Sequence, residues 1–120
     1  MGAYEVLLQA KGLISTSQSW CKGNFAITAS GWGTSSRDER AVAWCTIGAI
    51  EKVGPDFYIR NMAYTYLMKA INDLHPEVTG VSLSAFNDMA DHNQVIQVFD
   101  LAIELARGAP PPTKEMQYSC

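Results

Sequence analysis

Between Asp56 and His75, apolar residues recur every third or fourth position: Ile59, Met62, Ala63, Tyr66, Leu67, Ala70, Ile71 and Leu74. That spacing draws one unbroken stripe down an α-helix, and no face of a strand can carry it. A stripe this long must be buried against other elements, which makes the chain mainly α. Asp56 stands where a cap is needed. Pro76 marks the end, because it disfavours helical geometry at His75. The pattern predicts a helix over 56–75.

Three further helices follow from weaker signals. Residues 3–14 carry Tyr4, Leu7, Leu8 and Ile14 on one face, interrupted by Lys11. Gly12 and the polar run STSQS end that helix near Ser15. Ser36-Arg37-Asp38-Glu39 reads as a capping box that opens a helix over about 37–53. Its interior, AVAWCTIGAI, is apolar on nearly every side and so belongs at the centre of the molecule. Gly48 within it costs about 1 kcal/mol relative to Ala. The return expected is close approach of another backbone. A left-handed Gly54 and then Pro55 stop the helix. The last helix starts near Asp91 or Asn93, with Asp91 and Gln94 as a second capping box. It buries Val95, Ile96, Phe99, Ala102, Ile103 and Ala106, and Gly108 ends it. Residues 76–90 read as a loop. Trp20 to Gly33 holds three glycines and the alternating Phe25-Ala26-Ile27-Thr28, a short extended stretch or hairpin. The expected fold is a four-helix bundle-like single domain over residues 1–107, with a short β element between helices 1 and 2. A Pro-rich C-terminal tail over 108–120 should be extended.

The totals exclude several functions. A chain of 120 residues is one domain by size and can bury a real core. Twelve acidic against nine basic residues leave a formal charge of −3, with no cationic surface for nucleic-acid phosphates and no basic face for a membrane. No apolar run can span a bilayer. The first residues lack a basic start followed by an apolar run, and Val6 stands where a myristoylation signal wants Ser or Thr. A cytoplasmic protein is the expectation. Cys21, Cys45 and Cys120 are an odd set for a disulfide framework.

Trp20-Cys21 and Trp44-Cys45 repeat a dipeptide of two scarce residues. Structural zinc draws on close cysteine pairs, whereas these cysteines are 24 positions apart and His75 and His92 are isolated. A catalytic thiol needs a lowered pKa and some exposure. Cys45 falls inside the apolar helix. Cys21 lies in a glycine-containing loop that His92 or Asp88 could reach. The packing reading is preferred: buried cysteine acts as a small hydrophobe, and the two indoles fix the loop to helix 2. Trp20, Cys21, Trp44, Cys45, Gly48 and Phe99 are thus expected in the core, with Asn87 or Asp88 accepting from an indole N–H. No metal, cofactor or catalytic residue is assigned.

Asn87-Asp88 before the last helix suits a turn or cap better than a general base. His92 is expected to be an exposed first-turn residue, and His75 to meet free carbonyls at the end of its helix. The loop GNFAITASGWGTSS carries no phosphate-binding fingerprint. Trp32, between two glycines, is either an exposed anchor or folded back over the core edge.

Taken in order, these signals resemble a family of short, functionally uncharacterised proteins found in bacteria and their phages. Trp20-Cys21-Lys22-Gly23 matches its first motif. Asp38, Ala41, Trp44, Cys45, Gly48 and Ala49 match the second. Asn87-Asp88 follows, and then Val95, Phe99, Asp100, Ala102 and Ile103. The likeness covers about residues 4–107. Phe86 stands where the family often has Trp, and Asn93 where it often has a Thr cap. The resemblance implies a fold and brings no activity.

The function expected is that of a small non-enzymatic binding protein. A phage or mobile-element accessory protein that docks on a host protein, such as an inhibitor of a defence system, fits best. Trp32, Asn87, Asp88, Asp91 and His92 are the interaction candidates, along with the tail. A homo-oligomer is a further expectation. The alternative is a small enzyme or ligand-sequestering protein with a pocket around Trp20, Cys21, Asn87, Asp88 and His92.

Overall fold

The computed structural model describes residues 1–108 of the 120-residue chain. The predicted tail lies almost wholly outside the described residues. The described residues form α1 (Ala3–Leu13), β1 (Ala26–Thr28), β2 (Gly33–Thr34), β3 (Ala41–Trp44), α2 (Thr46–Val53), α3 (Phe57–Leu74), α4 (Leu83–Met89) and α5 (His92–Ala106). The protein is mainly helical with a small antiparallel sheet of order β2-β1-β3. None of these helices is long and apolar enough to cross a membrane.

α3 and α5 supply the centre. Ile59, Ala63, Leu67, Ala70 and Ile71 of α3 are buried, as are Val95, Val98, Phe99, Ala102 and Ile103 of α5. α1 packs on α2, α3 and α5 and contributes Val6, Leu7 and Ala10. The predicted face of α1 was rotated: Leu8 is exposed and Val6 is buried. Asp56 caps α3 by accepting from the Ile59 amide at 2.8 Å. Asp91 and Gln94 form the expected reciprocal cap on α5. Gly108 follows α5 with φ near 77°, a left-handed stop.

The four-helix expectation fails in two places. The predicted helix over 37–53 is a turn, a strand and a helix of eight residues. Asp38 takes the Arg40 amide at 2.8 Å, and the Ala41 amide donates to the Asp38 carbonyl, so this segment closes a turn and nucleates no helix. Ser36 caps nothing; its carbonyl accepts from the Trp44 indole at 2.9 Å. The apolar run Ala41–Trp44 then pairs with β1. A short, fully apolar run carries no period to separate a buried strand from a buried helix. Gly54 is not left-handed, with φ near −72°. The predicted loop over 76–90 contains α4, capped by Ser82, whose hydroxyl accepts from the Ala85 amide at 3.1 Å.

Candidate functional site

The two Trp-Cys dipeptides lie side by side. β1 and β3 run antiparallel with Ala26 opposite Trp44 and Ile27 opposite Ala43. Trp20 bridges Trp44 in the parallel sense, and the Cys21 amide donates to the Trp44 carbonyl at 3.1 Å. The Cys45 amide donates to the Phe25 carbonyl, also at 3.1 Å. Residues 20–25 are thereby laced to the end of β3. Cys21, Cys45 and Ala43 form a small buried cluster of their own, covered by Ile27 and Ile47. The partner of the loop is a strand end and not the middle of a helix as expected.

Cys45 has a second task. It is the N-cap of α2, with its sulfur accepting from the Gly48 amide at 3.3 Å. Gly48 is the close approach that the sequence suggested: a Cβ there would stand 1.9 Å from the Phe25 carbonyl oxygen. Only glycine lets α2 start under the loop.

Asn87, on α4, holds the assembly together. It is 1% exposed. Its Oδ1 accepts from Trp20 Nε1 at 2.8 Å, from the Thr46 amide at 2.9 Å and from the Thr46 hydroxyl at 2.8 Å. Its Nδ2 donates to the Cys21 carbonyl at 3.1 Å and to Asp88 Oδ1 at 3.2 Å. Asp88 Oδ1 also accepts from the Gly23 amide at 3.0 Å. Trp20 also meets α5. The His92 ring lies 5.7 Å from the Trp20 ring, and its Nε2 is 2.7 Å from the Ile14 carbonyl. A carbonyl can only accept, so that nitrogen carries the proton. His92 is half-buried and not the exposed residue expected. Among the described residues, His75 meets no helix-end carbonyl through its ring. Its Nδ1 lies 3.4 Å from Glu77 Oε1, and its ring stacks at a tilt on Phe86.

The fold thus gathers Trp20, Cys21, Asn87, Asp88 and His92 into one neighbourhood, with Asp91 capping the adjoining helix. Trp32 is elsewhere. It sits on the turn between β1 and β2 and is 74% exposed. Trp44, Phe99 and both internal cysteines are buried.

The thiols are poor nucleophiles here. Burial, with help from neighbouring Cys45 and Asp88, pushes the Cys21 thiol up to about 11. Burial also raises Cys45, against the lowering effect of the Gly48 and Ile47 amides. Both remain protonated at neutral pH. Among the described residues, no three His, Cys, Asp or Glu side chains are grouped to hold a metal ion.

Beside this network opens a cleft of about 390 Å³, lined by Gly23, Asn24, Phe25, Cys45, Asn87 and Asp88 together with Thr34 and Ser84. Phe25 is half exposed and also lines a second cleft of about 400 Å³, which holds Arg37, Glu51 and Arg60. The sequence placed Gly23 in the first Trp-Cys motif and Phe25 in an extended stretch but gave neither a place in the site, and Thr46 was not singled out. Gly48 was the available signal for Phe25, since a glycine inside a helix requires something to lie against it.

The model of a family of unknown function, DUF6197, matches residues 2–105. The chain belongs to this family. No curated protein and no solved structure matches it.

Proposed function

We propose that this chain is a non-enzymatic docking protein that engages another protein through the hairpin end of its sheet. The observation that carries the reading is Trp32, an indole 74% exposed on a short turn. Tryptophan is scarce on free surfaces and is enriched where partners bind. Val42 on β3 is also exposed, and so is Phe25 just before β1. The resemblance to proteins of bacteria and phages supports a host protein as the partner, an enzyme or receptor of a defence system for example, met in the host cytoplasm. The purified chain used as bait on host lysate should retain a defined protein, and Trp32→Ala should lose it while melting at the same temperature. Retention of a small molecule with no protein would reverse the reading.

The cleft beside Asn87 and Asp88 favours a second reading, a ligand-sequestering protein. Under that reading a small molecule travels with the purified chain in native mass spectrometry, and Trp32→Ala leaves it bound.

A further inference from the structure

The cleft beside Asp88 has a consistent chemistry. Asp88 is its only charged lining residue among those described. One carboxylate oxygen is held by two neutral donors, the Gly23 amide and the Asn87 side chain. Those donors fix the group in place and leave its charge uncancelled. Asp88 forms no ion pair among the described residues. The Asn24 side-chain amide and the Ser84 hydroxyl also line the cleft, and neither side chain has a hydrogen-bond partner among the described residues. The Phe25 ring supplies an apolar wall. The cleft therefore offers a fixed, unpaired carboxylate, further polar groups and an aromatic surface.

That combination suits a guanidinium better than an ammonium. A guanidinium is planar, spreads five donors in a fork, stacks on aromatic rings and is weakly hydrated. We propose that this cleft receives an arginine side chain presented by the docking partner, with Asp88 pairing to the guanidinium and Phe25 bearing its flat face. The inference rests on the docking reading above and names the chemistry of what docks. The mild net acidity of the chain, −3, works in the same direction by favouring a basic partner surface.

The probe is N-acetyl-arginine amide, titrated into the ¹⁵N-labelled full chain. Saturable shifts are expected at the Gly23 amide and the Asn87 side-chain amide, because both touch Asp88. The citrulline analogue, which keeps the shape and lacks the charge, should bind at least about tenfold more weakly, as should the arginine probe to Asp88→Asn. Phe25→Leu keeps an apolar wall without the ring and should weaken binding several-fold. It serves as the second variant, with thermal melts confirming that both fold. Equal binding of citrulline, unchanged binding to Asp88→Asn, or shifts scattered away from the cleft would each overturn the assignment. With the lysate bait, Asp88→Asn should reduce retention as Trp32→Ala does. If Trp32→Ala loses the partner and Asp88→Asn keeps it, docking stands and the arginine site falls. If neither variant changes retention, the docking reading itself fails.

Discussion

The side-chain oxygen of Asn87 lies 2.8 Å from the indole nitrogen of Trp20, a residue 67 positions earlier in the chain. The same amide reaches Thr46 and Cys21, so one buried side chain ties the 20–25 loop, the start of α2 and α4. Removing it leaves several buried groups unmet, each costing about 1–3 kcal/mol. Asn87→Ala should therefore destabilise the fold by about 3 kcal/mol or more, read as a lowered urea midpoint. Asn87→Asp should rescue little, because a carboxylate cannot donate to the Cys21 carbonyl and would face Asp88. A loss below about 1 kcal/mol for Asn87→Ala would refute the role given to this residue.

Two glycines should respond in opposite directions to the same change. Gly48→Ala gains helix propensity, yet its methyl would collide with the Phe25 carbonyl at 1.9 Å. The steric cost wins, and a net loss of about 2 kcal/mol is expected. Gly12→Ala, in α1 with open space around it, should stabilise by about 0.5–1 kcal/mol. Thermal melts of both variants check the contrast.

The buried thiols should be slow. With Cys21 pushed up to about 11, mainly by burial, and Cys45 raised as well, native protein at neutral pH should react with iodoacetamide far more slowly than free cysteine at both positions. Peptide mapping after timed alkylation reads each site. Fast labelling of Cys21 in the folded chain would return the enzyme reading to first place.

Alkaline pH should loosen the fold. Cys21 is buried and Tyr64 half-buried, both as neutral groups, and desolvation lifts Tyr64 to about 12. Their contributions are fully present below the unfolded values of about 8.5 and about 10. They are lost as pH rises toward about 11 and about 12. Cys21→Ser should flatten the first part of that decline in a plot of melting temperature against pH.

At the acid end the Asp38 turn should matter. Hydrogen bonds from the Arg40 side chain, the Thr34 hydroxyl and the Arg40 amide hold the Asp38 carboxyl well below the usual carboxylate range. Its contribution is complete above the unfolded value of about 3.9 and is lost as pH falls through the folded one. Wild type should therefore exceed Asp38→Asn in melting temperature at pH 7 and converge with it in strong acid. A constant gap across that range would show that the carboxylate charge is not what holds the turn.

Much of this protein was legible in its residues. Ile59 to Leu74, and Val95 to Ala106, repeat at a helical period over many turns, and Asp56 and Asp91 cap in their own sequence neighbourhood. Such interactions join residues a few positions apart, so local pattern suffices to find them. Gly48 also announced itself, because its cost in a helix required a compensating contact. The strand Ala41–Trp44 was hidden for the opposite reason. Its residues are apolar on every side, and what made it a strand was β1, which lies at the far end of a hairpin. The site was legible only in part: Asn87 or Asp88 was expected to accept from an indole N–H, and Asn87 does so from Trp20, but the geometry was hidden. Nothing near Asn87 in the sequence tells it to bond Trp20 rather than Trp44, or sets Phe25 beside Asp88. Short-range periodicity and capping determined the helices. Hydrogen bonds across tens of residues, possible only after those helices pack, decided the sheet, the buried thiol pair and the cleft.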